Sequence, residues 1–584
     1  MPTKNMQSSN WAEVNLMRWV EGQMAPVGGQ TQYSYSFASR CKAIHGWYDL
    51  SGVHYIAYLC ETNLYVDIGG TLYDITPIGG MTAPIIPLTG GYSDGNYSDG
   101  TYAYGTPPPV SNIIPVDALP DAFSLANFGQ VLLAMTSVDG RLLQWTPSAG
   151  TPGAGVILAA TAAFTTTSTT ITMVANPGSV LPGMGVYDVT NSQQIGVVST
   201  YPNGGTTLTL TAPAMHASAG AADNLKFTSG AAVVAGAPYG RCFVVTPERF
   251  VMIFGMVRDS TTTGGSFRRF GWCDQENPYS WNFSSVTSQA GYLDIEPSSP
   301  IVTAVSTPLG VLFWTGTTTY ISQFLGIPYV YNYQEIYKNS TPWSPASVVT
   351  TTMMTLWFSE QGLFSYNGSW VAPMACKVRP WIDDDIDPVN VREQACAVNV
   401  APFNEFWWFF PQMGQPHNTR CVIYNYKEGW WSMGQMSRSA GITAAYTVQT
   451  IMADGLVAYQ HELGNVYPGN VPLPWAETFD LNLASGSRLV TVKQLIPDIG
   501  GDVNNLLYSL FYRMSRSVAP DANGDPILVT EQQTPPRAVN TSNGFVDLRT
   551  TGRDIRMRIQ LIGPEVNPVT VGQHLIDSVV RGDR

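Results

Sequence analysis

Charge is scarce in this chain: Asp, Glu, Lys and Arg make up 12% of its 584 residues, about half the usual share of roughly 25%. Disorder driven by self-repulsion is thereby excluded. The seven cysteines, Cys41, Cys60, Cys242, Cys273, Cys376, Cys396 and Cys421, are scattered, odd in number and never spaced as CxxC. They read as buried small apolar residues in a reducing compartment, with no disulfide framework and no thiolate metal site. The six histidines never form HxH or HExxH, so no zinc site is expected. A phosphate-cradling GxxxxGKS is missing, and the sequence gives no reason to expect an enzyme or a cofactor. No run of eighteen apolar residues occurs, and the opening Met-Pro-Thr-Lys-Asn-Met lacks the apolar core of a signal peptide. The expectation is a product without a membrane span, soluble where it is made.

What the chain does have is glycine, proline and aromatics. There are 55 Gly and 41 Pro, about one residue in six, with 22 Phe, 29 Tyr and 16 Trp, and hydrophobic residues reach 44%. Short strands joined by many turns give this profile, and the length suits about three to five domains. The net charge of −13 disfavours a salt-dependent grip on phosphate backbones. Residues 1–469 carry net −12 and residues 470–584 net −1, so the acidic field belongs to the larger part. So few charges cover a monomer's surface poorly, which points to an assembly subunit with extensive protein contact.

Helical periodicity is scarce, and one pattern recurs: an apolar strand, a tight turn with Gly, Asp or Asn, and a second strand with Tyr or Trp. Copies run over Val53–Thr76 and Gln130–Trp145 and begin again at Arg249, Val311, Thr355, Glu405 and Ile451. From Val311 the starts are 44, 50 and 46 residues apart, a spacing that suits four-stranded propeller blades. The expected fold is therefore all-β: a β-propeller of six or seven blades, with a small inserted β-domain and a C-terminal β-sandwich. Its expected divisions are an N-terminal arm or short helix at 1–39, first blades at 40–146, the inserted domain at 147–238, the remaining blades at 239–469, and a sandwich at 470–584 that serves in docking. The insertion has only Asp188, Asp223 and Lys226 as charges.

Four groups of residues could carry function. Asp383, Asp384, Asp385 and Asp387 could hold a hard cation, but a solvated turn or helix start after Pro380 outweighs that reading. The YSDGNYSDG stretch around Asp94 and Asp99 resembles an oxygen-rich calcium loop, yet its Gly100 falls one residue late and no bidentate Glu follows, so tandem turns are expected. Arg549, Arg553, Arg556 and Arg558 form a basic stripe, with Arg556 and Arg558 on one strand face. Asp547 and Asp554 lie among them, so ion pairing within a subunit or across an interface is expected ahead of DNA contact. The abundant aromatics could stack on sugars, but the adjacent pairs Trp407–Trp408 and Trp430–Trp431 face opposite sides of a strand and are expected to pack between blades.

Several segments together resemble the tail nozzle, or distal tail tube, proteins of short-tailed bacteriophages and the related packaged-DNA stabilisation proteins. The resemblance lies in Gly46–Pro77, in RFGWCDQENPYSWN (Arg269–Asn282) leading to AGYLDI, in Gly310–Ile336, in Leu356–Met374 and in Val546–Ile559, in that order. It implies a structural virion protein at the distal end of the tail, made in the host cytoplasm. Copies would form a homo-oligomer, a hexameric ring below the adaptor and portal, beside fibres or spikes. Double-stranded DNA would be retained and then released through the lumen without sequence-specific binding. The resemblance supplies no catalytic residue. On this view an acidic wall repels passing phosphates, with Asp383, Asp384, Asp385 and Asp387 a candidate lumen ring and the four arginines candidate interface residues. The alternative is a tail-tip propeller that binds or cleaves receptor glycans, which would need an open aromatic pocket and, for cleavage, two carboxylates about 5–10 Å apart.

Overall fold

In the computed structural model the chain is described over residues 11–581, apart from 82–118, 148–159, 177–179, 203–204, 221, 257–266, 296–298, 443–448, 464–465, 469–470, 482, 485–487, 502–505, 515–518, 521–525, 528–530 and 563–568. The YSDGNYSDG stretch lies outside the described residues. The fold is all-β, with two short α-helices among the described residues, α1 (Arg379–Asp385) and α2 (Val391–Gln394).

Seven antiparallel sheets of four strands follow one another along the chain. Their second strands are His54–Cys60, Val131–Thr136, Val251–Phe254, Gly310–Thr315, Thr355–Ser359, Glu405–Phe410 and Ile451–Asp454. Every recurrent segment of the sequence starts at or within a few residues of one of these. They read as continuous apolar runs because both sheet faces are covered; all six residues of Glu405–Phe410 are buried. The first strands, Cys41–Tyr48, Phe123–Phe128, Cys242–Val245, Ile301–Thr307, Val348–Thr350, Cys396–Val400 and Ala440–Gly441, touch in that order, and the seventh touches the first. We read this closed cycle of sheets, numbered 1 to 7 here, as a seven-bladed propeller.

Aromatic pairs bond adjacent sheets. Trp47 of sheet 1 meets Trp145 of sheet 2, Phe254 of sheet 3 meets Phe313 of sheet 4, Trp314 meets Trp357 of sheet 5, and Phe358 meets Trp408 of sheet 6, with ring centroids 6.3, 5.4, 5.1 and 4.9 Å apart. Trp407 and Trp408 lie in the cores on opposite faces of sheet 6. At Gly310 the backbone needs φ +145°, and a Cβ there would lie 2.5 Å from the Ser322 carbonyl oxygen; only glycine lets the second and third strands of sheet 4 close up.

From Trp11 onward the expected arm or short helix is instead a set of paired strands. These are β1 (Trp11–Asn15), β2 (Met17–Val20), β3 (Gln23–Pro26) and β4 (Gln30–Ser36). β4 pairs with Val457–His461 as the fourth strand of sheet 7, so the N-terminal segment closes the cycle. β1 pairs with Trp475–Thr478, and β3 with Val569–Val571. These strands enter the C-terminal unit, where Val14, Met17 and Met24 share one core with Tyr508, Ile555, Ile559 and Val571. That unit stacks the strand Asp554–Leu561 between Leu506–Arg513 and Trp475–Thr478.

The insertion joins the third and fourth strands of sheet 2, Leu143–Trp145 and Ala232–Val233. Its upper limit therefore falls before Ala232 instead of at 238, because Ala232 and Val233 belong to the cycle. Six of its strands form one sheet over a core of its own, including Phe164, Ile171, Val186, Ile195 and Phe227.

Candidate functional site

The four aspartates sit between sheets 5 and 6, at the C-terminal end of α1 and just beyond it. Asp383 accepts from Arg379 Nε at 2.5 Å and Asp385 from Arg420 Nε at 2.7 Å. Asp387 closes a turn, accepting from the amides of Val389, Asn390 and Gly414 at 2.9, 2.9 and 3.0 Å. Those bonds, led by Asn390, hold its carboxyl below the usual range. Among the described residues no cluster of three or more His, Cys, Asp or Glu could hold a metal ion. Two of the four charges are neutralised by arginines and a third carboxylate is used in the turn, which leaves Asp384 exposed beside them.

The four arginines do not act as a stripe. Arg549 pairs with Asp547 at 3.2 Å in an exposed contact. Arg553 donates its backbone N–H to Arg513. Arg556 and Arg558 do share a face, opposite the buried Ile555, Met557 and Ile559. Arg556 reaches Glu477 at 2.7 Å and also Glu531, and Arg558 lies over the Trp475 ring at 4.1 Å.

A buried ionic cluster crosses from the N-terminal strands to the cycle. Arg18 Nε lies 3.1 Å from Glu405 Oε1, and its Nη atoms reach Glu462 at 2.5 and 3.0 Å. Glu462 also accepts from Gly28 N, and Glu405 from Trp407 Nε1 at 2.9 Å. Burial works against the Arg18 guanidinium, but the two carboxylates outweigh it and raise its pKa. Burial pushes Glu405 up to about 7 against the pull of Arg18. No spacing in the sequence could reveal this trio, whose members are 387 and 444 residues from Arg18.

At one end of the cycle, contacts cross the axis. Lys42, entering sheet 1, donates to Gln394 Oε1 at 3.3 Å, and the Asp121 amide, entering sheet 2, donates to Glu393 Oε2 at 3.1 Å. Residues 393 and 394 belong to α2, which leads into sheet 6 across the ring, so this end is bridged. Beside it a cleft of about 270 Å³ is lined by Pro120, Asn339, Trp343, Glu360 and Arg392. Glu360 is paired with Arg392 at 2.9 Å.

The opposite end of sheets 4 and 5 is different in kind. Its turns, residues 307–310, 324–330, 350–355 and 366–371, contain no Asp, Glu, Lys or Arg in 23 residues. The turns adjoin one another: a Cβ on Gly368 would lie 2.6 Å from Leu309 Cδ1. Leu309, Leu325, Ile327, Tyr329, Met353 and Trp370 are exposed there.

Five of the seven thiols are held protonated by burial. Burial pushes Cys242, Cys273, Cys376, Cys396 and Cys421 up to about 12, where almost no thiolate forms at neutral pH.

No family model matches the sequence, and no curated protein matches it. Among solved structures, a glycoside hydrolase is similar at a TM-score of 0.21 and 8% identity, over 93% of this chain and 99% of that one. An extracellular domain of a one component system from B. thetaiotaomicron follows at 0.17 and 7%, over 89% and 99%. At these TM-scores neither carries an argument about this chain.

Proposed function

We propose that this chain is a structural subunit of the distal tube, or nozzle, of a short bacteriophage tail, and that several copies surround a shared lumen that retains packaged DNA and passes it at ejection. Two things support this reading: the ordered resemblance of five segments to nozzle proteins, and the uncharged, apolar end of sheets 4 and 5. The second carries more weight physically, because a lone soluble protein has no use for four adjoining turns with exposed Leu, Ile, Met, Tyr and Trp and no charge. The bridge across the axis of the cycle adds a geometric constraint. DNA would run between copies, since Lys42, Asp121, Glu393 and Gln394 span the axis of each one. The acidic surplus of −13 lowers the residence of phosphates on such a wall. Asp384 and its neighbours would contribute little to it, with two of their charges already paired.

The glycan alternative would use the cleft at Glu360 and Arg392, whose lining includes Trp343. That cleft is lined by one carboxylate, already ion-paired, so carboxylate-pair cleavage finds no support there. The test is to assemble particles of the source virus without this chain. Heads that fill with DNA and then lose it support the nozzle reading; heads that keep their genome yet fail to adsorb to cells overturn it in favour of receptor binding.

A further inference from the structure

The third and fourth strands of sheet 4, Thr318–Gly326 and Val330–Lys338, are the longest of the cycle at nine residues each. The second strand pairs with the third only as far as Val311 opposite Ser322. Beyond that the hairpin continues alone, with Phe324 opposite Tyr331 and Gly326 opposite Val330. Its tip overhangs the neighbouring turn by about three residues, roughly 10 Å at about 3.3 Å per residue. Phe324 anchors the base, with its ring centroid 5.8 Å from that of Phe250 and 5.5 Å from that of Tyr331. Ile327 and Tyr329 at the tip are each 76% exposed. The tip is thus an apolar, uncharged projection. Met353 and Trp370 stand beside it at the same end of sheet 5, 77% and 63% exposed.

We propose that this end of sheets 4 and 5 is the surface through which one copy of the chain seats on a second copy. The inference rests on the ring assembly proposed above and names the surface that builds it. Three observations select that occupant. Each copy carries net −13, so contact between copies is least costly through a surface without acidic groups, and these 23 residues form one. Eighteen of them keep accessible surface, close to the lower bound of the roughly 20–30 residues that each partner brings to a standard interface. Their aromatic and methionine content, without Lys, Glu or Asp, is that of an interface core. A lipid surface fits less well, because anionic bilayers recruit basic segments and these turns have none. A sugar fits less well because the hairpin projects, whereas small ligands are taken up by concave sites.

The test places the photo-reactive residue benzoylphenylalanine at position 327 of the full chain and irradiates it in the purified protein and in intact particles. A covalent product of twice the chain mass, with position 327 joined to a peptide of the same sequence, is the expected result. A double variant, Ile327→Asp with Tyr329→Asp, should lose self-association by tenfold or more in sedimentation while keeping its melting temperature, since both side chains are exposed. Self-association undiminished in that variant overturns the proposal, as does a photoproduct with another protein, or none, in both preparations. Electron microscopy of the same particles separates the two readings. A chain found in the tail ring with position 327 unlinked leaves the nozzle standing without this contact, whereas self-linking in a chain absent from the tail leaves the contact without the nozzle.

Discussion

Arg18 shows how one residue can tie distant parts of the chain together. It is buried against Glu405 of sheet 6 and Glu462, just past the third strand of sheet 7, and its guanidinium also lies 3.8 Å from the Phe403 ring centroid. Breaking such a pair leaves an uncompensated buried charge, which costs about 3–5 kcal/mol. Arg18→Ala should therefore lower the unfolding free energy by about that amount, read as a shift of the urea midpoint at unchanged slope; a shift below about 1 kcal/mol would show that water reaches the carboxylates. Two histidines contribute to the response to acid. Arg438 Nε donates to His461 Nε2 at 2.9 Å, and the Asp498 amide donates to His574 Nδ1 at 3.1 Å, so both rings serve as acceptors and stay neutral. Burial lowers His574 to about 4 and His461 well below its ordinary value. The folded state then binds fewer protons than the unfolded chain, so stability present above about pH 6.5 should be lost as pH falls toward 4. Glu405, raised to about 7, has the opposite sign: its contribution falls as pH rises from about 4.5 to 7. Urea midpoints from pH 4 to 8 check this, and His574→Gln should flatten the acid limb. Nothing at this scale was legible in the sequence, because the partners lie 23 to 444 residues apart and no local pattern marks them.

At the scale of elements, the sequence revealed the second strand of every sheet. Those strands are covered on both faces, so they appear as unbroken apolar runs such as EFWWFF, and the seven recurrent segments fall on the seven sheets in order. The N-terminal strands were not legible. β1 and β4 find their partners at Trp475–Thr478 and Val457–His461, and their mixed polar sequences declare no structure until those partners arrive. The aspartate run was only partly legible: its sequence leaves a solvated turn or a helix start after Pro380 open, whereas the helix begins at Arg379 and carries Asp383 to Asp385 in its last turn, and the pairing of Asp385 with Arg420 depends on how sheets 5 and 6 meet. Two consequences follow for elements. Trp408→Ala removes the ring that meets Phe358 between those sheets and should cost about 3–5 kcal/mol, measured by calorimetry. Replacing residues 148–229 with a short Gly-Ser link should leave the cycle folded with its melting transition intact, because the insertion has its own core. Loss of that transition would show that the inserted domain supports sheet 2.

For the whole molecule, low charge and a closed cycle of sheets lead to one picture. Aromatic pairs are buried between neighbouring sheets of the cycle, and the N-terminal strands join the cycle to the C-terminal unit. At one end of sheets 4 and 5, Leu309, Leu325, Ile327, Tyr329, Met353 and Trp370 stay exposed on turns without charge. The count of charges, not any motif, was the part of this legible in advance: four turns empty of Asp, Glu, Lys and Arg can be read from the sequence, although their meeting at one end cannot. The decisive measurement for the proposed tail role is a symmetry-free electron microscopy reconstruction of the particles into which the chain is proposed to assemble, with this chain fitted into the density. Copies arranged around the axial DNA path, each with the end of sheets 4 and 5 against its neighbour, are the predicted result. The chain found on peripheral appendages with that end facing solvent would contradict it.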